Sequence, residues 1–326
     1  MMRCRLLFAT LLLAVSPGTV SAQRSGTTVV EILGLRTWTR QMVEDSVAKY
    51  QPGISLADHA CAVILRDSVG FADAASLVMS TGGDTTWAVL PVVEPGLRDR
   101  VRYRTYGADR PKLAAWAGLF AILEADRAAM NALQHPAVLL GEADSAFARP
   151  VPASTLELRR RLRRHNSPRD WALARNAILT DGSPQNRTAA ALVLSNFAHR
   201  DSAYYVLAEG LRVSDSGAMA AGMVLSALAR HDPRRVDWRP AEDALTALVG
   251  GTNLFVYTGV LDLLAATQVD PVLGRRLARA NPVLLMDHLA AKNPFSPPPA
   301  HRFLVQIRGQ DLGRDPAAWS AWLSRG

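Results

Sequence analysis

The sequence predicts a small mixed α/β module followed by a predominantly helical region. Three observations carry this expectation. A β-branched segment and a pair of strand-like segments enclose two helical patterns within the first hundred residues. Beyond Tyr106 the strand signals give way to alanine, leucine and arginine at helical spacing. One phrase also recurs at an offset of 31 positions, AAALVLSNFAHRD at 189–201 and AAGMVLSALARHD at 220–232. With 326 residues, 49% hydrophobic and 20% charged, the chain can bury a substantial core and has room for more than one structural unit.

The first segment, MMRCRLLFATLLLAVSPGTVSAQ, has a basic start (Arg3, Arg5), an apolar run from Leu6 to Val15, and a helix-breaking Ser-Pro-Gly. Val20 and Ala22 are small residues of the kind a signal peptidase accepts. Residues 1–22 therefore read as a signal peptide, and the mature chain is expected outside the cytoplasm, periplasmic or secreted. An uncleaved anchor is the weaker alternative, because the run falls short of the ~20 apolar residues a span needs. No later run reaches that length, so no transmembrane segment is expected in the mature chain. Removing Arg3 and Arg5 takes the net charge from +8 to +6. Arginine supplies nearly all of this basicity, since Lys49, Lys112 and Lys292 are the only lysines. An exported chain rarely meets nucleic acid, so a nucleic-acid partner is not expected; a compositional bias toward arginine and alanine is the preferred explanation. After cleavage Cys61 is the one cysteine left, which rules out an intramolecular disulfide. Its apolar neighbours suit a buried thiol.

Residues 23–106 form the expected α/β module. Val29, Val30 and Ile32 are β-branched and stop at Gly34, as in a strand. Met42, Val43, Val47 and Tyr50 recur at helical spacing before Pro52-Gly53. Ser55 or Asp58 caps a second helix with a stripe of Leu56, Ala60, Cys61, Ile64 and Leu65. AASLVMS and TTWAVLPVVEP then read as a hairpin turned by Gly82-Gly83-Asp84. This order, with VVEILGL, PGISL, LRDSVGF and VVEP as its carriers, resembles a polypeptide-transport-associated (POTRA) domain over about residues 27–105. The resemblance implies a module that binds a partner polypeptide as an added strand, and Val29, Val30, Glu31 and Ile32 are the candidate pairing edge. No tandem array and no barrel of alternating strands follows.

Residues 107–154 are expected to be a helical connector or the first helices of the second part, and residues 155–326 a set of helical repeats. Ala190, Val193, Leu194 and Phe197 fall on one helix face, as do Ala221, Val224, Leu225 and Leu228. DSAYYVLAEGLRVSD supplies a helix between them, so one repeat is two helices. A third echo, VLDLLA at 260–265, follows VLSALA after 36 positions, and SPRDWALARNAILTDG suggests an earlier member. Such periods suit a helical-hairpin solenoid. SPQNRTAAALVLSNFA, SDSGAMAAGMVLSALA, TNLFVYTGVLDLLAA and the closing GQDLGRDPAAWSAWL resemble bacterial HEAT repeats. That resemblance implies protein–protein contact over a curved surface, with no shared catalytic residue. A compact, non-repeating helical domain is the alternative. FSPPPAHRF at 295–303 reads as a rigid loop, since three prolines disfavour helix.

The sequence carries no phosphate-binding loop, H-E-x-x-H, C-x-x-C, G-x-S-x-G or EF-hand spacing. None of the seven histidines lies three or four residues from another. No catalytic, cofactor-binding or metal-ligating residue is nominated, and no cofactor is expected. The run LRRRLRRH, with Arg159, Arg160, Arg161, Arg163 and Arg164, reads as a solvated face or as a site for anionic lipid or an acidic partner. Arg187 and Arg230, expected to be exposed on the repeat helices, complete the candidate partner-binding residues. The expected function is a non-catalytic binding or scaffold protein of the bacterial envelope. An enzyme, or an accessory subunit with a site assembled between the two parts, is the alternative.

Overall fold

The computed structural model describes residues 27–80, 84–126, 152–231 and 233–325. The leader at 1–22, the Gly82-Gly83 turn, most of the 107–154 connector and His135 lie outside the described residues. The chain is predominantly helical with a small N-terminal mixed sheet.

The first part contains β1 (Thr27–Leu33), α1 (Arg40–Tyr50), α2 (His59–Ile64), β2 (Asp73–Ala74), β3 (Leu77–Ser80) and β4 (Thr85–Val93). β4 is central: β1 pairs with it in parallel, β2 and β3 antiparallel on its other side. The segment expected as one strand, AASLVMS, is interrupted at Ala75-Ser76, although Ala74↔Val92 and Leu77↔Val89 lie in one continuous register. The cause is Pro91: Ala75 N–H still donates to its carbonyl (3.1 Å), but proline returns no N–H. Thr39 and Asp58 cap the two helices through their side chains, so Asp58 rather than Ser55 starts the second. Val43 and Val47 are buried while Met42 and Tyr50 are exposed, which narrows the expected stripe on α1.

Both faces of the sheet are covered, which is why β4 is buried without alternation from Ala88 to Val93. Leu90, Val92 and Ala74 pack with Val43, Val47, Cys61 and Leu65 under α1 and α2. Leu33, Ala75, Val89 and Val93 belong instead to the core of the helical part. Burial pushes the Cys61 thiol up to about 11, so it stays protonated. Glu94, at the end of β4, accepts from the backbone N–H groups of Arg36 (2.6 Å), Thr37 (2.8 Å) and Trp38 (2.9 Å) and from the Thr37 hydroxyl (2.8 Å). Burial opposes its charge, but these donors outweigh burial and hold the carboxyl below the usual range.

Beyond the sheet come α3 (Ala117–Ala125), α4 (Ala153–Leu162), α5 (Pro168–Thr180), α6 (Pro184–Leu194), α7 (Asp201–Gly210), α8 (Ser216–His231), α9 (Glu242–Gly250), α10 (Tyr257–Ala266), α11 (Pro271–Ala278), α12 (Pro282–Ala290), α13 (Pro297–Arg308) and α14 (Pro316–Ser324). Two rows of helices result. α6, α8, α10 and α13 pack in succession along one row; α5, α7, α9 and α11 do so along the other. The echoed phrases lie in α6, α8 and α10, all in the first row, and their Val193, Leu194, Val224, Leu225, Val260 and Leu261 are buried. The first copy stops early: the Ser195 hydroxyl donates to the Leu192 carbonyl (2.6 Å), and the chain tightens into a 3₁₀ turn at Ser195–Phe197. An expectation that fails is the proline loop. Pro297, Pro298 and Pro299 form the first turn of α13, where the missing N–H groups would have had no intrahelical acceptor. Asp315 caps α14 and Pro316 opens it, with Trp319 and Leu323 buried. Among the described residues, no helix is long and apolar enough to cross a membrane.

Residues 101–113 run extended across the helical part and tie its loops together. Arg104 N–H donates to the Arg212 carbonyl (2.6 Å), the Arg104 guanidinium to Leu179 (2.8 Å), and the Tyr106 hydroxyl to Ile178 (2.9 Å). His288 on α12 is buried, stacks on Tyr257 at 4.7 Å, and has no hydrogen-bond partner at either ring nitrogen among the described residues. Burial depresses its pKa to about 3, so the folded protein holds it neutral.

Two outcomes follow for stability. Glu94→Gln should lower stability at pH 7 by about 1–3 kcal/mol. Because the native carboxyl titrates below its free value, its contribution is present above about pH 4.5 and is lost as pH falls through the native pKa. Chemical denaturation of the variant should therefore show a flatter acid limb below pH 4.5 than the wild type. His288 behaves in the other sense. The unfolded chain takes up a proton near pH 6.5 and the native one only near 3, so stability declines across that window as pH falls. His288→Phe, which keeps a ring on Tyr257, should raise the thermal midpoint at pH 5 more than at pH 8.

Candidate functional site

A groove runs along α8, α10 and α13. Its first half, about 570 Å³, lies between the N-terminal halves of α8 and α10 and is lined by Met219, Gly222, Leu225, Phe255, Val256 and Gly259 among others. Its second half, about 900 Å³, continues past Ser226, Gly259 and Leu263, which both halves share, to Arg230, Asp262, His301, Arg302 and Asp311.

The groove exists because the residues facing it are small. Gly222, Ser226 and Ala229 lie along α8, and Gly259 and Ala266 along α10. A Cβ added at Gly259 would meet nothing within 4 Å, and one at Gly222 only Leu211, at 3.6 Å. The neighbouring α6–α8 seam is shut by contrast: a Cβ on Gly217 would come within 2.8 Å of the Arg187 Cβ. At the apolar end Met219 is 60% exposed and Phe255 48%, both large side chains off the buried stripes. Phe255 is presented by a fixed turn. Asn253 takes a left-handed conformation (φ 56°), and its amide donates to the Leu211 and Val213 carbonyls at 2.7 Å each.

The far end is polar. Arg302 donates twice to Asp262 (3.0 and 2.6 Å), and His301 Nε2 lies 2.7 Å from Asp311 Oδ1. The hydrogen bond from His301 holds the Asp311 carboxyl below the usual range. Arg230, exposed in the last turn of α8, makes one hydrogen bond from Nε to the Ser226 carbonyl (3.1 Å) and pairs with no carboxylate among the described residues.

The sequence-nominated residues separate into four places. Arg230 lies at the groove. Arg187 is not exposed as expected but 2% exposed in the α6–α8 seam, where its guanidinium donates to the Gly182 carbonyl (2.8 Å), pairs with Asp215 and sits 4.0 Å over the Tyr106 ring. Its role is internal, because a guanidinium needs that many acceptors to be buried. Arg159, Arg160, Arg161, Arg163 and Arg164 lie on or just beyond α4; Arg160 and Arg161 both pair with Glu157, so the cluster is partly neutralised. On β1, Val30 and Ile32 point into the small core under α1. The Glu31 carboxylate is engaged by the N–H groups of Lys292 (2.7 Å) and Asn293 (3.1 Å) and by the Asn293 amide (2.7 Å). Val29 pairs with Trp87. No strand pairs with the outer edge of β1 among the described residues, and Arg40 reaches the Val30 carbonyl there (3.0 Å).

Two carboxyls lie between the sheet and the helices. Buried Asp73 accepts from the Tyr103 hydroxyl (2.9 Å) and Leu254 N–H (3.3 Å), and Asp287 accepts from Gly34 N–H (2.7 Å). Burial raises the pKa of both carboxyls. Asp73 does not line the groove along α8, α10 and α13. Among the described residues, no three His, Cys, Asp or Glu side chains gather as a metal site would require.

Sequence reasoning missed Met219, Phe255, Gly222, Gly259 and the Asp262, His301, Arg302 and Asp311 end. Met219 carried a signal, since it lies off the Ala218, Ala221, Leu225 and Leu228 stripe of its own helix. No protein-family model, no curated protein and no solved structure matches the chain.

The contrast between the two arginines is measurable. Arg187→Ala removes the ion partner of Asp215 and the donor to the Asp181 and Gly182 carbonyls, and should lower stability by about 3 kcal/mol in urea denaturation. Arg230→Ala should stay within about 0.5 kcal/mol of the wild type.

Proposed function

We propose that this chain is an exported, non-catalytic binding or scaffold protein of the bacterial envelope, built from a POTRA-like module and a HEAT-like helical solenoid. In this reading the solenoid carries the principal binding surface. The observation that carries the proposal is the groove along α8, α10 and α13, with two large apolar side chains exposed at one end and, at the other, an arginine that forms no ion pair among the described residues. Exposed apolar side chains beside a concave surface rimmed by polar groups mark interaction sites. The solenoid reading is supported by the two rows of helices and by the echoed phrases falling in alternate helices of one row. The POTRA-like reading is supported by the order of strand, helix, helix and hairpin. Export rests on the leader-like segment at 1–22. The partner in this reading is a protein; the arginine cluster on α4 is a solvated face rather than a lipid site.

The experiment uses Gly259→Trp. A side chain grows from Gly259 into open groove, and replacing a helical glycine favours the helix, so folding should survive. A partner that co-purifies with the wild-type chain from envelope extract should be lost with Gly259→Trp and retained by Arg160→Glu. Equal recovery by Gly259→Trp and wild type would sink the groove as the binding surface.

A further inference from the structure

The groove has a length, a polarity and a backbone chemistry, and together they define what fits it. Met219 and Arg230 mark its two ends on α8, eleven residues apart, which is about 16 Å at 1.5 Å per residue and equals about three turns of helix. Its walls are helices whose backbone N–H and C=O groups are largely satisfied within themselves. An extended peptide laid there would find no strand edge to pair with, and its own backbone groups would lose water without gaining partners. A helix arrives with its backbone already satisfied and offers side chains only.

Charge fixes the orientation of the occupant. At the polar end Arg302 pairs with Asp262, and His301 hydrogen-bonds Asp311; at the apolar end Asp215 pairs with Arg187. Among the described residues, Arg230 is the groove-lining arginine whose guanidinium makes no ion pair, and it lies at one end only. From these features we propose that the groove receives an amphipathic helix of a partner protein, about three turns long. Its apolar residues sit at i, i+3, i+4 and i+7 against Phe255 and Met219, and a carboxylate near one end meets Arg230. The inference rests on the reading of the groove as a protein-binding surface and deepens it by naming the class of segment.

The test is selection of a displayed library of random 14-residue peptides on the intact wild-type chain, with counter-selection on Gly259→Trp. Enriched sequences should show the helical apolar spacing with Asp or Glu near one end. As synthetic peptides measured by fluorescence anisotropy, they should lose about tenfold in affinity on Arg230→Glu, and an acid-to-Lys exchange in the peptide should recover much of that loss. Groove-dependent peptides that lack helical spacing, or that ignore Arg230→Glu, overturn the inference and leave the groove as a binding surface. A selection yielding no peptide that distinguishes wild type from Gly259→Trp also overturns it. The broader reading falls only if, in addition, the envelope partner is indifferent to Gly259→Trp.

Discussion

The structure depends on one constraint: the sheet of the first part has a second apolar face, and the helical part is what covers it. Val93 and Leu33 sit in the same core as Leu254, Leu284 and Leu285. The approach is so close that two glycines with positive φ are needed. A Cβ on Gly34 (φ 95°) would come within 3.0 Å of Leu284 Cδ1, and one on Gly251 (φ 117°) would strike Val93 Cγ2 at 2.3 Å. With that contact made, a sheet of short strands becomes the buried floor of a larger body. Without it, Val89 and Val93 would face water.

Polar groups inside the molecule follow from that contact. Where a sheet meets the ends of helices, backbone N–H groups are left without partners, and carboxylates supply acceptors. Glu31 receives the loop before α13, Asp287 receives Gly34, Asp73 receives Leu254, and Glu94 receives the turn into α1. Arg187 does the converse for carbonyls at the α6–α8 seam. Charged side chains that look available in the sequence are thus engaged in holding loops together. The Arg230 guanidinium, in the last turn of its helix, pairs with no carboxylate among the described residues.

The same small residues that shut one seam open the next. Alanines 189, 190, 220 and 221 let α6 and α8 close on each other and are fully buried. Between α8 and α10, Gly222, Ser226 and Gly259 again keep side-chain volume low, but here the space stays empty of side chains. Interiors are otherwise close-packed, so an open seam beside exposed Phe255 and Met219 is where a partner gains most apolar contact.

Periodicity alone determined much of the architecture: the strand–helix–helix–hairpin order, the burial of the Val-Leu pairs in each echoed phrase, and the Asp315-Pro316 start of the last helix were all legible, because each is set by local spacing and capping. The proline run at 297–299 was misread because proline's effect depends on where a helix begins, which the flanking residues did not reveal. Arg187 was misread because a helix face has a direction only once its neighbours are placed. The break in the second strand needed knowledge that Pro91 stands opposite Ala75. The groove was illegible for a related reason. Gly222, Gly259, Phe255 and His301 are far apart in sequence, and only the packing of α8, α10 and α13 brings them to one surface and decides that nothing fills the space between them.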